Sequence, residues 1–305
     1  MYFPYLRGRQ YELLALKELA QKELISNLII PVVEPIKITS TFNSTIKIYN
    51  DMNLPLALIM NPCVGNIVGD NTNKLLTYIT DNIIPSVIID DSAKDFINKN
   101  IEISELIAIL TSRDYAEEYK DLFIDTFPKY SLCSDERQIR RAVTNNKVLF
   151  EDKFIKQIKN SDYINCDDEF FSEDHIYYKD EGYCGFGDYS IVGNNYEESG
   201  FSPRAVAIHI VYFAKDNTLR IHHFVSDSNY GIEDVAGKFY EAVSKLSIWS
   251  EKLDHQQYTF ALSTLLDYAD KGYYPGLPTI KKLSIMHHLE LINKYLSGEV
   301  QWNAA

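Results

Sequence analysis

The feature that most constrains the fold of this sequence is an alternation of short apolar segments with helical patterns over roughly its first 195 residues. Segments such as Leu28–Pro35 and Leu56–Met60 are almost continuously apolar, which is typical of strands buried on both faces. The intervening segment Tyr11–Leu24 carries leucines at helical spacing. Such strand–helix alternation predicts parallel pairing with right-handed crossovers.

Eight such strands in this region predict an α/β fold with a (β/α)8 TIM-barrel-like domain. An open doubly wound sheet is the alternative, but no G-x-G-x-x-G follows any strand, so its dinucleotide-binding version has no support. The predicted strands are Tyr2–Leu6, Leu28–Pro35, Leu56–Met60, Ile84–Asp90, Leu106–Leu110, Lys129–Cys133, Lys147–Phe150 and Tyr183–Val192.

A different pattern begins near Ser202. Ala205–Ala214 and Thr218–Val225 are two β-rich runs that predict an appended β-hairpin, and three C-terminal helices follow at 230–249, 256–270 and 279–297. The sequence therefore predicts a barrel-like domain over 1–195 and a hairpin plus helical region over 196–305.

The pattern is less regular between the seventh and eighth predicted strands. Residues 153–160 read as a helix and Asp162–Cys166 as a possible short strand. The acidic stretch 167–174 reads as a solvated loop or a helix start.

Charge and composition narrow the function classes. With 43 acidic and 30 basic residues the net charge is −13, which argues against nucleic acid as a direct ligand because phosphate binding needs clustered positive charge. The N-terminus lacks signal-peptide features and no apolar run is long enough to span a membrane, so we expect a cytoplasmic protein without a membrane partner. No cysteine pair forms a C-x-x-C motif.

Three segments carry a resemblance to a known family. The N-terminal run Tyr2–Glu12 (YFPYLRGRQYE), followed by a Leu-Ala-Leu helix, and the second strand Ile30–Pro35 (IPVVEP) resemble the beta protein family of phages and bacteria. Its members begin with a similar YxPxLKxKxxE stretch, and Gly185–Tyr189 (GFGDY) is similar to its late GFGDW segment.

This resemblance covers roughly residues 1–225 and implies a barrel-like fold. It implies little chemistry, since the family has no agreed activity. Because such relatives are often encoded beside nuclease-like proteins in defence or mobile loci, it suggests a phage-defence context and a nuclease-like protein partner.

Candidate site residues follow from the barrel itself, because the functional face of such a barrel is the C-terminal end of its strands. Polar side chains there converge on one mouth. The candidates are Arg7 and Arg9 after the first strand, Glu34 after the second, Asn61 after the third, Asp90 after the fourth, Glu151 after the seventh and Asp188 in the eighth.

These residues support two kinds of chemistry. Glu34, Asp90, Glu151 and Asp188 could offer oxygen ligands to Mg²⁺ or Ca²⁺, with Asp90 and Glu34 as the metal ligands. Glu34, Glu151 and Asp188 could instead act as catalytic acid and base in glycoside hydrolysis. Arginine forks bind phosphate or carboxylate, so the predicted ligand-binding residues are Arg7, Arg9 and Asn61.

The alternative interpretation is structural. Acidic residues at strand ends often cap the following helix, and arginines beside Glu12 could form local surface ion pairs of little energetic weight. His209, His222 and His223 on the hairpin are interpreted as sheet histidines rather than zinc ligands, because no nearby Cys completes a site. No nucleophile elbow or P-loop is present.

Two function hypotheses remain open. The first is an interaction or regulatory protein acting beside a nuclease-like effector. The second is a metal-dependent hydrolase acting on a phosphodiester or a glycoside. Four carboxyls within about 8 Å of one another would favour the hydrolase, since metal ligands must converge on one ion. A salt bridge from Arg7 or Arg9 that fills the mouth would count against it.

Overall fold

The computed structural model describes residues 1–67, 69–98, 101–198 and 204–300. Within these residues eight parallel strands close into a barrel, which confirms the α/β, TIM-barrel-like prediction. Going round the barrel, the strands are β1 (Tyr2–Leu6), β2 (Val32–Val33), β3 (Leu56–Ile59), β4 (Ile83–Ile88), β5 (Ile107–Leu110), β6 (Tyr130–Cys133), β7 (Lys147–Phe150) and β9 (Gly185–Asp188), while β8 (Asp168–Ser172) belongs to a second sheet.

Side chains alternate across each strand, and one set fills the barrel interior. Phe3, Tyr5, Phe150 and Tyr189 belong to this buried cluster, together with aliphatic residues from the remaining strands. The Tyr189 ring lies 4.9 Å from the rings of both Tyr5 and Phe150, measured between centroids. The barrel therefore has a packed aromatic core rather than a pore.

Helices cover the outer face of the strands. Helix α1 (Gln10–Gln21) buries Leu13, Leu16 and Leu19. Helix α2 (Ser40–Asp51) is capped by Thr39, whose hydroxyl oxygen accepts the Phe42 N–H at 3.1 Å. The Thr45 hydroxyl of α2 donates to a carbonyl oxygen of α1 at 3.3 Å. The other helices of this part of the chain are α3 (Ala93–Ile97), α4 (Ala116–Leu122), α5 (Arg137–Ala142) and α6 (Asp174–Tyr177), with 3-10 turns at Gly69–Tyr78, Ile103–Glu105 and Arg113–Tyr115.

The second sheet is antiparallel. Strands β10 (Ala207–Phe213) and β11 (Leu219–Val225) form the predicted hairpin, and β8 pairs with β11 on its other side. The accompanying helices are α7 (Val235–Ser250), α8 (Phe260–Asp270) and α9 (Leu277–Leu296), with short 3-10 helices at Asn160–Asn165 and His255–Gln257.

The chain divides into two compact units, and the division is not the single boundary near 195 that the sequence pattern suggested. The first unit comprises 1–152 and 174–190, and the second comprises 153–173 and the chain from 191 onward. Ser202, where the sequence pattern changes, lies outside the described residues, as do residues 301–305.

The acidic stretch explains this difference. It is predicted to be a solvated loop or a helix start, but it contains β8, and the charges of β8 are paired within the sheet. Asp168 pairs with Arg220 and the Glu169 carboxylate meets His223. Residues 153–159, expected to form a helix, have no regular secondary structure. Among the helices described, none is long and apolar enough to cross a membrane.

Candidate functional site

Glu34 lies at the C-terminal mouth of the barrel, immediately after β2. Its side chain is fully buried, and both carboxylate oxygens accept hydrogen bonds. Oε2 forms an ion pair with the Arg7 guanidinium and accepts the Tyr5 phenol proton at 2.8 Å. Oε1 accepts the backbone N–H of Cys63 at 2.7 Å. Burying a carboxylate is costly unless its oxygens are ion-paired or hydrogen-bonded, and these contacts meet that requirement.

Arg7 closes the mouth above the aromatic core. Only 11% of its side chain is exposed, and its guanidinium lies 5.0 Å from the centroid of the Tyr5 ring and 5.6 Å from that of Tyr189. Burial opposes its charge, but Tyr5 and Glu34 outweigh that effect and the pKa of Arg7 is raised. Burial, followed by the Glu34 charge, raises the pKa of Tyr5 well above its usual value, so the phenol remains a donor. Arg7, Tyr5, Glu34 and Tyr189 are called the mouth cluster below.

Gly8 directs the chain away from Arg7 towards α1. Its φ is +62°, a left-handed conformation that glycine adopts without steric cost. A Cβ at this position would lie 3.0 Å from the backbone carbonyl oxygen of Glu34. The backbone N–H of Arg7 donates to the Glu12 carboxylate at 2.8 Å. Glu12 therefore binds the main chain of Arg7, and Glu34 binds its guanidinium.

Asn61 and Asp90 form a second group at the mouth, between the ends of β3 and β4. The Asn61 amide accepts the Ile88 N–H at 2.9 Å and donates to the Ile88 carbonyl at 2.8 Å, so it extends the pairing of the two strands. Asp90 Oδ1 accepts from the Ser92 N–H at 2.9 Å and from its hydroxyl at 2.7 Å. These bonds close a local turn just before α3, whose N-cap residue is Ser92.

Cys63 connects the two groups. Its backbone N–H reaches Glu34, and its Sγ lies 3.7 Å from Asp90 Oδ2. Burial, then the charges of Glu34 and Asp90, raises the pKa of the Cys63 thiol to about 11. Because the thiolate is the nucleophilic form, Cys63 is not prepared for nucleophilic catalysis at neutral pH.

Asp188 does not point into the mouth. Phe3 and Tyr5 of β1 are in the barrel interior, so Tyr2 faces the outer side, and its phenol donates to Asp188 Oδ1 at 2.7 Å. The Ser190 N–H donates to the same oxygen at 2.6 Å. The expectation that Asp188 joins the other carboxyls is therefore wrong in geometry, because strand alternation places it with the outward residues.

Glu151 and Arg9 have contacts of their own outside the mouth cluster. Glu151 Oε1 accepts the backbone N–H of Asp135 at 3.3 Å, which links the ends of β7 and β6. Arg9 is the residue before α1 and its carbonyl oxygen accepts the Leu13 N–H at 2.9 Å. Of the four expected carboxylates, Glu34 and Asp90 both contact Cys63.

Within the described ranges, no group of three or more His, Cys, Asp or Glu side chains is arranged to hold a metal ion. The assignment of Glu34 and Asp90 as metal ligands stays a prediction. The catalytic and ligand-binding roles of the seven candidate residues stay predictions. Sequence reasoning missed Tyr5 and Tyr189, although the alternation that places Phe3 in the core also places Tyr5 there.

The second unit carries polar clusters on both faces of its sheet. On one face, the Asp168 carboxylate accepts from the Tyr212 phenol at 2.6 Å, pairs with Arg220 and lies 3.1 Å from His222 Nδ1. Burial would raise the pKa of Asp168, but these three hydrogen bonds lower it. The charged Asp168 carboxylate therefore fixes the orientation of three neighbouring side chains.

On the opposite face the Nδ1 atoms of His209 and His223 are 2.7 Å apart, and His223 Nε2 is 3.1 Å from a Glu169 carboxylate oxygen. The carboxylate accepts, so His223 carries its proton on Nε2, and His209 Nδ1–H donates to His223 Nδ1. Burial lowers the pKa of both histidines, which keeps them neutral. This agrees with their interpretation as hydrogen-bonded sheet residues.

Comparison with known proteins gives no family for the chain. It matches no family model, no curated protein and no solved structure.

Proposed function

We propose that this chain is a binding component that works with a protein partner, rather than an enzyme with a centre at the barrel mouth. The observation that carries the proposal is the saturation of Glu34, whose two oxygens are occupied by Arg7, Tyr5 and the Cys63 N–H. A reacting carboxyl needs an accessible lone pair or proton, and this one is sealed beneath a guanidinium.

The distribution of exposed apolar side chains supports the same proposal. Among the described residues, most of the large hydrophobic side chains that face solvent lie in the second unit. Ile158 is 95% exposed, Tyr230 94% and Ile248 65%. Exposed apolar side chains that form a contiguous patch are a property of surfaces that bind other proteins.

The resemblance to the beta protein family gives the proposal its context. We expect a cytoplasmic protein of a phage-defence or mobile-element system, and a nuclease-like protein encoded nearby as the partner. The acidic net charge of −13 suits association with a basic protein surface.

A metal-dependent hydrolase acting on a phosphodiester or glycoside remains the second candidate. The observation in its favour is that Glu34 and Asp90 both contact Cys63 and so lie at the same corner of the mouth. For this function Arg7 would have to leave Glu34 and expose the carboxylate to an ion or substrate.

Two measurements test the proposal. Full-length chain, co-expressed with the product of the neighbouring gene, is expected to elute with it as one complex in size-exclusion chromatography. Thermal unfolding in Mg²⁺, Mn²⁺ or Ca²⁺ is expected to match unfolding in chelator. A metal-dependent rise in Tm that Glu34→Gln abolishes, with the chain eluting alone, would contradict the binding role and support the hydrolase.

A further inference from the structure

Two histidines lie side by side on one face of the sheet in the second unit. His209 on β10 and His223 on β11 are direct cross-strand partners, and their Nδ1 atoms are 2.7 Å apart. Residues 154–166 pack over this pair and are called the covering segment below. None of these residues belongs to the mouth cluster, and the proposed function gives the histidine pair no role.

Two aromatic rings of the covering segment contact the pair. The Phe154 ring lies 5.3 Å from the His209 ring and 6.2 Å from the His223 ring, measured between centroids. The Tyr163 ring lies 4.8 Å and 4.5 Å from the same two rings. Because Phe154 is only 7% exposed and Tyr163 only 3%, the covering segment keeps water from the face of the pair that it contacts.

The covering segment can move without losing its own internal contacts. The Tyr163 phenol oxygen accepts the Gln157 N–H at 3.0 Å, and the Phe154 and Tyr163 rings lie 6.1 Å apart, so both contacts stay within the segment. The Asn160 amide donates to the Ala205 carbonyl oxygen at 3.0 Å, a bond that bonds to water replace when the segment leaves. Packing against the histidine rings is therefore a main part of what holds the segment closed.

The histidine pair has one nitrogen available for an additional proton. His209 Nδ1–H donates to His223 Nδ1, and His223 Nε2–H donates to Glu169, so three of the four ring nitrogens are engaged. The fourth, His209 Nε2, makes no hydrogen bond to another described residue. A proton added there creates a positive charge beneath the aromatic rings without a protein acceptor, which is costly while the covering segment stays in place.

Charged and titratable groups surround the pair. Among the described residues they are Glu169 and Asp168 on β8, His222 on β11, Lys281 on α9, and Tyr163 and Cys166 of the covering segment. Lys281 disfavours a proton on His209, whereas Glu169 favours one on His223. Burial is the largest effect, and it lowers the pKa of His223 and lowers that of His209 well below its usual value.

We propose that the His209–His223 pair is an acid-sensitive latch, in which proton uptake by the pair releases the covering segment from the sheet. Release brings water to the imidazolium and removes the cost of a buried charge. The covering segment also carries the exposed side chains of Ile155, Ile158 and Ile164, so its release changes part of the apolar surface of the second unit. Only this last consequence, an effect of acid on partner binding, rests on the proposed function.

The test is hydrogen exchange of the full chain without a partner, read by mass spectrometry and corrected for the intrinsic pH dependence of exchange. We expect the protection of peptides covering 154–166 to fall by about tenfold or more between pH 7.5 and 5.5. At pH 5.5 an opened histidine with a pKa near 6.5 holds a proton that the closed one does not, and one such proton changes the opening equilibrium about tenfold over this range. The covering segment should also be less protected than α9 at each pH, because it opens without unfolding the unit.

A double variant and a matched control identify the groups that titrate. His209→Gln with His223→Gln is neutral at every pH, so its covering segment should keep the same protection within about twofold between pH 7.5 and 5.5. His255→Gln removes an exposed histidine outside the covering segment and should leave the tenfold change intact. If the double variant does not fold, NMR titration of the parent replaces it, and the His209 ring and the Tyr163 ring should then change with a single midpoint below pH 6.5.

The inference is overturned if the covering segment is equally protected at pH 7.5 and 5.5, or if it is protected as well as α9, so that it opens only with the whole unit. A double variant that keeps the tenfold change, or a His209 titration that leaves Tyr163 unchanged, overturns it as well. Partner binding is measured separately at the same two pH values. The latch is supported by the exchange result even if no partner co-purifies, whereas a partner that co-purifies with a chain lacking the exchange change supports the proposed function alone.

Discussion

Replacing Arg7 by Met tests whether the mouth cluster is a structural ion pair. The substitution keeps an unbranched side chain over Tyr5 and Tyr189 but removes the charge that faces Glu34. Removing one partner of a buried ion pair costs about 3–5 kcal/mol. The Tyr5 phenol and the Cys63 N–H still donate to Glu34, so we expect the lower end, about 3 kcal/mol.

The matching double substitution separates the ion pair from simple packing. Arg7→Met combined with Glu34→Gln removes both charges while keeping the approximate volume, so its cost should be about 1–2 kcal/mol smaller than that of Arg7→Met alone. The control is Lys47→Met, which breaks an exposed pair with Asp51 on α2 and should cost no more than about 0.5 kcal/mol.

Hydrogen exchange read by mass spectrometry on peptides covering β1 and β2 gives the free energy of opening of this unit by itself. A loss of about 3 kcal/mol corresponds to a roughly hundredfold loss of protection, because each 1.4 kcal/mol is tenfold. An Arg7→Met protein that is as protected as the Lys47→Met control would refute the reasoning, as would a double variant no better protected than Arg7→Met.

Three further predictions concern pH and backbone conformation. Burial lowers the pKa of His287 to about 4, so the contribution of His287 to stability is complete above pH 6.5 and falls by about 1.4 kcal/mol per pH unit down to pH 4. In urea unfolding followed by tryptophan fluorescence at a series of pH values, His287→Gln should reduce the loss of stability below pH 6.5, and an unchanged loss would contradict this. Burial raises the pKa of Glu290 to about 7, so the contribution of Glu290 to stability is present below pH 4.5 and is lost as the pH rises to 7. In the same assay Glu290→Gln should therefore gain stability relative to the parent between pH 5 and 8. Gly8→Ala should lower the free energy of opening of β1, measured by hydrogen exchange, by roughly 1–3 kcal/mol. The control Gly272→Ala has a φ of +60° but nothing within 4 Å of the added Cβ, so it should cost less. Equal costs would mean that the close approach of Gly8 to the Glu34 carbonyl is harmless.

The barrel was predictable from the sequence because each of its strands is a short apolar run followed by a helical pattern or a polar segment. β1 and β7 coincide with their predicted bounds, and Tyr2–Leu6 is fully apolar on both faces. The hairpin of β10 and β11 was predictable for a similar reason, since its β-rich runs flank a short polar turn.

The assignment of residues 153–173 to the second unit and of 174–190 to the first could not be predicted from local patterns. β8 reads as an acidic loop because its charges are matched only by side chains some 50 positions later, such as Arg220 and His223. No window of the sequence that is short enough to define a strand contains both partners.

The sequence allowed several residues of the site to be predicted, but not the contacts between them. The position of Glu34 after a buried strand and of Arg7 after another identified both as mouth residues. Their direct contact depends on the closed barrel, in which β1 and β2 are neighbours. The outward direction of Asp188 follows from the closed barrel, where Gly187 lies against Phe3 and the next residue faces the other side.

The path of the chain between the two units has a consequence for synthesis. Seven barrel strands are made before residue 153, and β9, which closes the barrel between β7 and β1, follows only after β8 has been made. Until β9 emerges from the ribosome, β1 and β7 present open edges that can pair with other chains. A fragment that ends at residue 152 therefore lacks its closing strand, and we expect it to aggregate unless a peptide spanning 174–190 is supplied.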